Sequence, residues 1–160
     1  MRKFIYTFFI LAFLVSCQSE DKYIYDLNSV EVLPANANKD KEKTIEQFIS
    51  ILYANLFQKA LSADEMVEIR RLIESIGDKE VAYEILISNY MNRSDVIIPA
   101  NEDMRADLDA FLQETYKRFF IRIPSEAEKA YLKNFIESDP NVSAEMVYFS
   151  FALSEEYRFY

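Results

Sequence analysis

The chain has 160 residues, 27 acidic and 18 basic side chains, a net charge of −9 and no histidine. An acidic surface excludes nucleic acid as a partner, because phosphates need a basic face. Without histidine there is no Ser-His-Asp or Cys-His catalysis, no His-rich zinc site and no histidine-held haem; one glycine allows no phosphate-cradling loop.

The first stretch with a message is residues 2–17. Arg2 and Lys3 give a short positive region. Residues 4–15 are apolar except for Tyr6 and Thr7, and small Ser16 precedes Cys17. This is the order of an export signal. The run is too short for a bilayer-spanning helix, which takes about 20 apolar residues. Leu14-Val15-Ser16-Cys17 resembles the lipobox of bacterial lipoproteins. The resemblance covers the signal alone. It implies cleavage before Cys17, a diacylglyceryl group on the Cys17 sulfur and acylation of the new amine. It also implies a place in the bacterial cell envelope, at the outer membrane, with the periplasmic or surface face left open. Residues 1–16 are then a signal peptide. They carry +2, so the remainder stands at −11. Such a chain is repelled by anionic lipid, and acyl chains must hold it, at about 0.8 kcal/mol per buried methylene. With Cys17 lipidated no thiol remains for a disulfide.

Residues 17–43 read as the lipidated N-terminus and a linker. Ser19-Glu20-Asp21 resembles the acidic surface-export signals of Bacteroidota lipoproteins; a solvated spacer accounts for it equally well. Tyr23, Tyr25 and Leu27 alternate with Ile24 and Asp26, the pattern of a brief extended segment. Val30, Val32 and Leu33, before Pro34, are placed to pack on the domain as an arm. Residues 35–43 are polar and are expected to be mobile.

Residues 44–160 are expected to be all-α, with about six helices as two tandem three-helix repeats (44–92 and 103–160). Residues 45–75 laid over 108–138, an offset of 63, match at eight of 31 positions, where chance gives roughly two. The matches include Phe48/Phe111, Tyr53/Tyr116, Phe57/Phe120, Ser62/Ser125, Glu65/Glu128 and Ile73/Ile136. Thr44 with Gln47, Ser62 with Glu65 and Ser125 with Glu128 spell capping boxes. Asp78 and Ser143 are expected to cap the third helices. Apolar stripes are expected at Ile45, Phe48, Ile49, Leu52, Tyr53, Leu56 and Phe57; at Met66, Ile69, Leu72, Ile73 and Ile76; and at Val81, Ile85 and Leu86. Copy two carries one helix from Met104 through Phe120, a second with Tyr131, Leu132, Phe135 and Ile136, and a last with Met146, Val147 and Phe151. Gly77 stands where a left-handed helix end is expected. Arg122-Ile123-Pro124-Ser125, Glu128 and Ser154-Glu155-Glu156-Tyr157 resemble small helical modules of bacterial envelope proteins. Copy one departs from them at Lys59 and Leu61. That resemblance implies a fold and no activity.

Carboxylates are the chemistry that remains: Asp103, Asp107 and Asp109, and Glu155 with Glu156. Paired carboxylates hydrolyse glycosides when set about 5 to 10 Å apart in a cleft, and they ligate calcium, although no EF-hand spacing is present. A solvated helix face explains them more simply. No residue is assigned as catalytic, and no metal or cofactor is expected. Of the 11 Tyr and 13 Phe, Tyr148, Phe149, Tyr157, Phe159 and Tyr160 crowd the C-terminus. They are expected either to form a binding patch or to fold back over the linker arm. The reading is a lipid-anchored, non-enzymatic binding or accessory protein of the envelope, beside a protein partner. Its rivals are a carbohydrate-active or calcium-dependent enzyme and a structural envelope lipoprotein.

Overall fold

Thr44 starts the first helix. Its hydroxyl accepts from the Gln47 amide while the Gln47 side chain accepts from the Thr44 amide, so two amides without intrahelical partners are satisfied at once. The computed structural model describes residues 31–160, and the export signal, Cys17 and the alternating segment 23–27 lie outside the described residues. The described residues are all-helical: α1 (Ile45–Phe57), α2 (Ala63–Ser75), α3 (Lys79–Met91), α4 (Asn101–Ala106), α5 (Leu108–Phe120), α6 (Glu126–Ser138) and α7 (Ala144–Leu153), closed by a 3-10 turn at Glu155–Arg158. None of the described helices is long and apolar enough to cross a membrane.

The duplication is visible in the backbone. Helices α1 and α5, like α2 and α6, have equal lengths and begin 63 residues apart. Both α1 and α5 end in a left-handed residue, Gln58 (φ 52°) and Ile121 (φ 55°). Ser62 and Ser125 cap α2 and α6, and Asp78 and Ser143 cap α3 and α7. The interior is built from α1, α3, α5 and α7. In α2 and α6 only Ile73 and Ile136 are buried. Helix α3 packs on α7 across the repeat boundary. Tyr157 wedges between the halves: its ring meets Phe48 of copy one and Phe119 of copy two edge-on, at 5.5 and 5.6 Å.

Several expectations need correction. The first helix of copy two is broken at Asp107, whose side chain accepts from the Ala110 amide and caps α5, leaving α4 as a separate turn. Gly77 is not left-handed; the left-handed ends lie one helix earlier in each copy. Ser62 accepts the Glu65 amide, but the Glu65 carboxylate turns to the Ser62 hydroxyl and not to its amide. Leu72, Val81, Ile85 and Met146 face outward, each at least 40% exposed. Because α2 and α6 lie at the edges, they bury a narrow seam. Helix α3 turns Ala82, Leu86, Ile87, Tyr90 and Met91 to the interior, and its outer face keeps the remaining apolar side chains.

Candidate functional site

The ends of α1 and α5 each leave carbonyls without helical partners. In copy one the connector after α3 covers them: the Ile97 amide donates to the Leu56 carbonyl at 2.8 Å. In copy two the N-terminal arm does this work. The Leu33 amide donates to the Ile121 carbonyl at 2.9 Å and the Leu33 carbonyl accepts from the Ile123 amide at 3.0 Å, forming a parallel bridge beside Arg122. The Lys39 ammonium donates to the Phe120 carbonyl at 2.5 Å.

The same arm zips to the C-terminal tail. The Lys43 amide donates to Arg158, the Tyr160 amide donates to Lys41, and Glu42 pairs antiparallel with Phe159. Residues 35–43 are therefore a docked strap. Two of its three lysines, Lys39 and Lys43, turn their ammoniums to backbone carbonyls. Lys43 is 8% exposed. Its ammonium donates to the carbonyls of Tyr157 and Phe159 and sits 4.5 Å from the centre of the Tyr157 ring and 5.2 Å from that of Tyr160. No carboxylate pairs with it among the described residues. Burial, and then the nearby Lys39 charge, bring its pKa down to about 8.

Arg122 lies beneath the strap. Its guanidinium carries five N–H donors, and all are used: two to Glu156, two to Glu128 and one to the Ile123 carbonyl, at 2.6 to 3.1 Å. The plane rests over Tyr116 and Phe120, 4.9 and 5.6 Å from their centres. Hydrogen bonds from Arg122 hold the Glu128 carboxyl down to about 2. Burial works against ionisation of Glu156, but Arg122 and then Lys39 keep its carboxyl below the usual range. A cleft of about 380 Å³ opens beside this cluster, lined by Ala35, Ala37, Lys39, Glu155 and Phe159 among others. With every donor of Arg122 occupied, the cleft has no free guanidinium with which to take an anion.

Next to it runs a narrower, mostly apolar groove of about 190 Å³. Glu31 and Leu33 line its mouth, Ile51, Phe119, Phe120 and Ile121 its wall, and Lys39 and Lys43 its rim, with Phe159 and Tyr160 from the tail.

The five C-terminal aromatics do not form one exposed patch. Tyr148 is 2% exposed, stacked on Phe111 and edge-on to Phe119. Tyr157 is fully buried; its hydroxyl accepts from the Asn55 amide at 2.9 Å, and burial pushes its ionisation far up. Phe149 is half-buried on α7, in a shallow hollow with Met146. Phe159 and Tyr160 join the strap, which is the fold-back alternative. The cause is the 3-10 turn: Ser154 caps it by accepting the Tyr157 amide, and the chain direction then reverses toward the arm.

Asp103 and Asp107 share a shallow hollow with Glu114 and Arg118, and Asp107 also caps α5, while Asp109 pairs with Lys133 at 2.6 Å. Glu155 lines the cleft while Glu156 is bound to Arg122. Among the described residues no group of three or more His, Cys, Asp or Glu is placed to hold a metal ion. Arg122, Lys39 and Lys43 carry the electrostatics, and sequence reasoning assigned none of them a role. The signal that was available is Arg122-Ile123-Pro124-Ser125 with Glu128 and Glu156, whose members prove to be one bonded cluster. Family models, characterised proteins and solved structures give no match to this chain.

Proposed function

We propose that this chain is a lipid-anchored, non-enzymatic helical accessory protein of the bacterial envelope, holding a protein-binding surface beside a membrane complex. The observation that carries the reading is Leu14-Val15-Ser16-Cys17 at the end of a short apolar run behind Arg2 and Lys3. Two or more acyl chains on Cys17 confine the domain to two dimensions and raise the effective concentration of a weak contact. The outward apolar side chains favour such a contact. Tyr131 is 71% exposed, Phe135 49% and Met146 53% on copy two, with Leu72 and Val81 at the corresponding places of copy one.

The carboxylate-enzyme alternative calls for two facing acids with one carboxyl raised. Glu46, Glu65, Asp95, Asp109, Glu128 and Glu156 are all displaced downward instead. Two of them, Glu128 and Glu156, neutralise Arg122, which favours the accessory reading. The test is mild crosslinking of cells followed by affinity purification, with Cys17→Ala as control. A partner enriched reproducibly by the wild type over the control is the expected result. Equal recovery from both, or a mature N-terminus bearing a bare thiol by mass spectrometry, refutes the reading.

A further inference from the structure

The apolar groove has a buried charge on its rim that no carboxylate balances among the described residues. Lys43 lines it and is 8% exposed. Its ammonium is surrounded by carbonyls and aromatic rings. Lys39, also on the rim, shares Glu156 with Arg122. Lys39, Lys43 and Arg122 thus stand against Glu128 and Glu156, which leaves one cation over in a chain of net charge −9. A pKa of about 8 keeps Lys43 an ammonium at pH 7. Burying such a charge is costly, and an apolar side chain of similar volume packs without that cost. Stability therefore does not explain the lysine.

The donors and the space say what it fits. An ammonium has three N–H donors. Lys43 uses two on the carbonyls of Tyr157 and Phe159, and Lys39 uses two on the Phe120 carbonyl and Glu156. One donor on each remains, beside walls of Leu33, Ile51, Phe119, Phe120 and Ile121. Glu31 is the one acid lining the groove, exposed at its mouth. Two donors, one surplus positive charge and an apolar wall suit a monoanion with two acceptor oxygens and an apolar body. An apolar cavity of about 150 Å³ accepts benzene, and drug-sized ligands take about 300 Å³ or more. The groove, at about 190 Å³, lies between. It has room for one tail of about six to eight carbons and not for a two-chain lipid. A phosphate monoester brings a second negative charge that no cation meets.

We propose that the groove binds a medium-chain aliphatic monocarboxylate, its carboxylate on Lys43 and Lys39 and its tail against Ile51, Phe119 and Ile121. The ligand joins α1 of copy one, the end of α5 in copy two, the strap and the C-terminal tail, all of which line the groove. The site stands apart from the lipid anchor and does not depend on it.

The test is equilibrium dialysis of radiolabelled octanoate against the protein as purified from cells, in phosphatidylcholine vesicles, with protein-free vesicles as the blank. Saturable binding is expected. Octanol, which has the tail without the charge, is expected to bind about tenfold more weakly or worse. Butanoate, which has the charge with a shorter tail, is expected to lose about tenfold or more. Lys43→Met is expected to weaken octanoate about tenfold or more and to leave octanol within about twofold. Ile51→Phe, which fills the groove, is expected to weaken both about tenfold. Thermal melts report whether each variant is folded, and the comparison of octanoate with octanol and butanoate on the wild type needs no variant. As an independent measure, octanoate is expected to slow hydrogen exchange about threefold at the amides of Leu33 and Tyr160, which line the groove and bond across the strap. No saturable binding, equal binding of octanol or butanoate, or unchanged octanoate binding in folded Lys43→Met overturns the proposal. So does displacement of octanoate by inorganic phosphate as readily as by unlabelled octanoate, or no protection of Leu33 and Tyr160.

Discussion

Lys59 and Arg122 hold the same station in the two repeats. Each places its cation over a tyrosine and a phenylalanine one helical turn apart: Tyr53 and Phe57 at 5.8 and 5.6 Å for Lys59, Tyr116 and Phe120 at 4.9 and 5.6 Å for Arg122. Each pairs with an acid from the segment after the third helix, Asp95 or Glu156. Yet the Lys59 side chain is 51% exposed and that of Arg122 6%. The N-terminal strap makes the difference, because it covers copy two alone.

That asymmetry predicts unequal costs. Arg122→Ala strands two carboxylates beside buried Lys39, and breaking a buried pair in this way costs about 3 to 5 kcal/mol. Lys59→Ala removes an exposed, solvent-screened pair and is expected to cost little. Arg122→Lys restores the charge but offers three donors where five are bonded, so it recovers only part of the loss. Urea unfolding of the three variants gives the comparison. Equal midpoints for Arg122→Ala and Lys59→Ala contradict the account.

Acid tests the same cluster. The Glu128 carboxyl falls from an ordinary 4.5 to about 2 through its bonds to Arg122. A depressed acid stabilises the fold above its unfolded value, and that stability is lost as pH falls through the folded one. The loss is therefore expected between about pH 4.5 and 2, and it amounts to about 1 to 2 kcal/mol once solvent screening of a partly exposed carboxylate is allowed for. Glu128→Gln should lower stability at pH 7 and flatten this part of the profile. A parallel profile for the variant refutes the assignment.

Lys43 behaves in the opposite sense. Its pKa is lowered to about 8 from 10.5 by burial, so the folded state holds the proton less tightly than the unfolded chain. Its contribution to stability is smallest below about pH 8 and rises as pH climbs toward 10.5. Lys43→Met removes an ammonium that no carboxylate balances. The expected result at pH 7 is a melting temperature equal to or above that of the wild type, with the alkaline rise lost. A large loss at pH 7 would mean that the bonds to Tyr157 and Phe159 outweigh the cost of burying the charge.

The caps and the duplication were legible because each is written in neighbouring residues. Thr44, Ser62, Asp78, Ser125 and Ser143 cap where a short polar side chain precedes an apolar period. The 63-residue offset reappears in helix ends and in the two left-handed residues. What was not legible depends on contacts far apart in sequence. The composition of residues 35–43 says polar spacer, and the distant carbonyls of Phe120, Tyr157 and Phe159, with backbone pairing to residues 158–160, turn them into a strap. Tyr148 and Tyr157 are as aromatic as Tyr160, and nothing local marks the first two as interior. Val81 and Ile85 carry the same hydropathy as Leu86 and Ile87, and the packing of α3 against α7 selects the latter pair. The arginine cluster was visible only as a set of residue types, since Glu156 reaches Arg122 from 34 residues away.

The two left-handed helix ends set the last prediction. Gln58 and Ile121 each donate an amide to the carbonyl four residues back, at 2.9 and 3.1 Å, in the helix-ending geometry that favours glycine. A side chain in this conformation costs about 1 to 2 kcal/mol, while glycine loses about 0.5 to 1 kcal/mol more chain entropy on folding. Gln58 is exposed, so Gln58→Gly should gain about 0.5 to 1 kcal/mol. Ile121 is β-branched, which worsens the strain, but its side chain lines the apolar groove. Ile121→Gly therefore relieves strain and forfeits packing together, and it should gain less than Gln58→Gly in urea unfolding. The difference between the two repeat-related substitutions measures what the groove contributes at Ile121. An equal gain at both would mean that the Ile121 side chain contributes nothing there, and that the isoleucine is kept for some purpose other than stability.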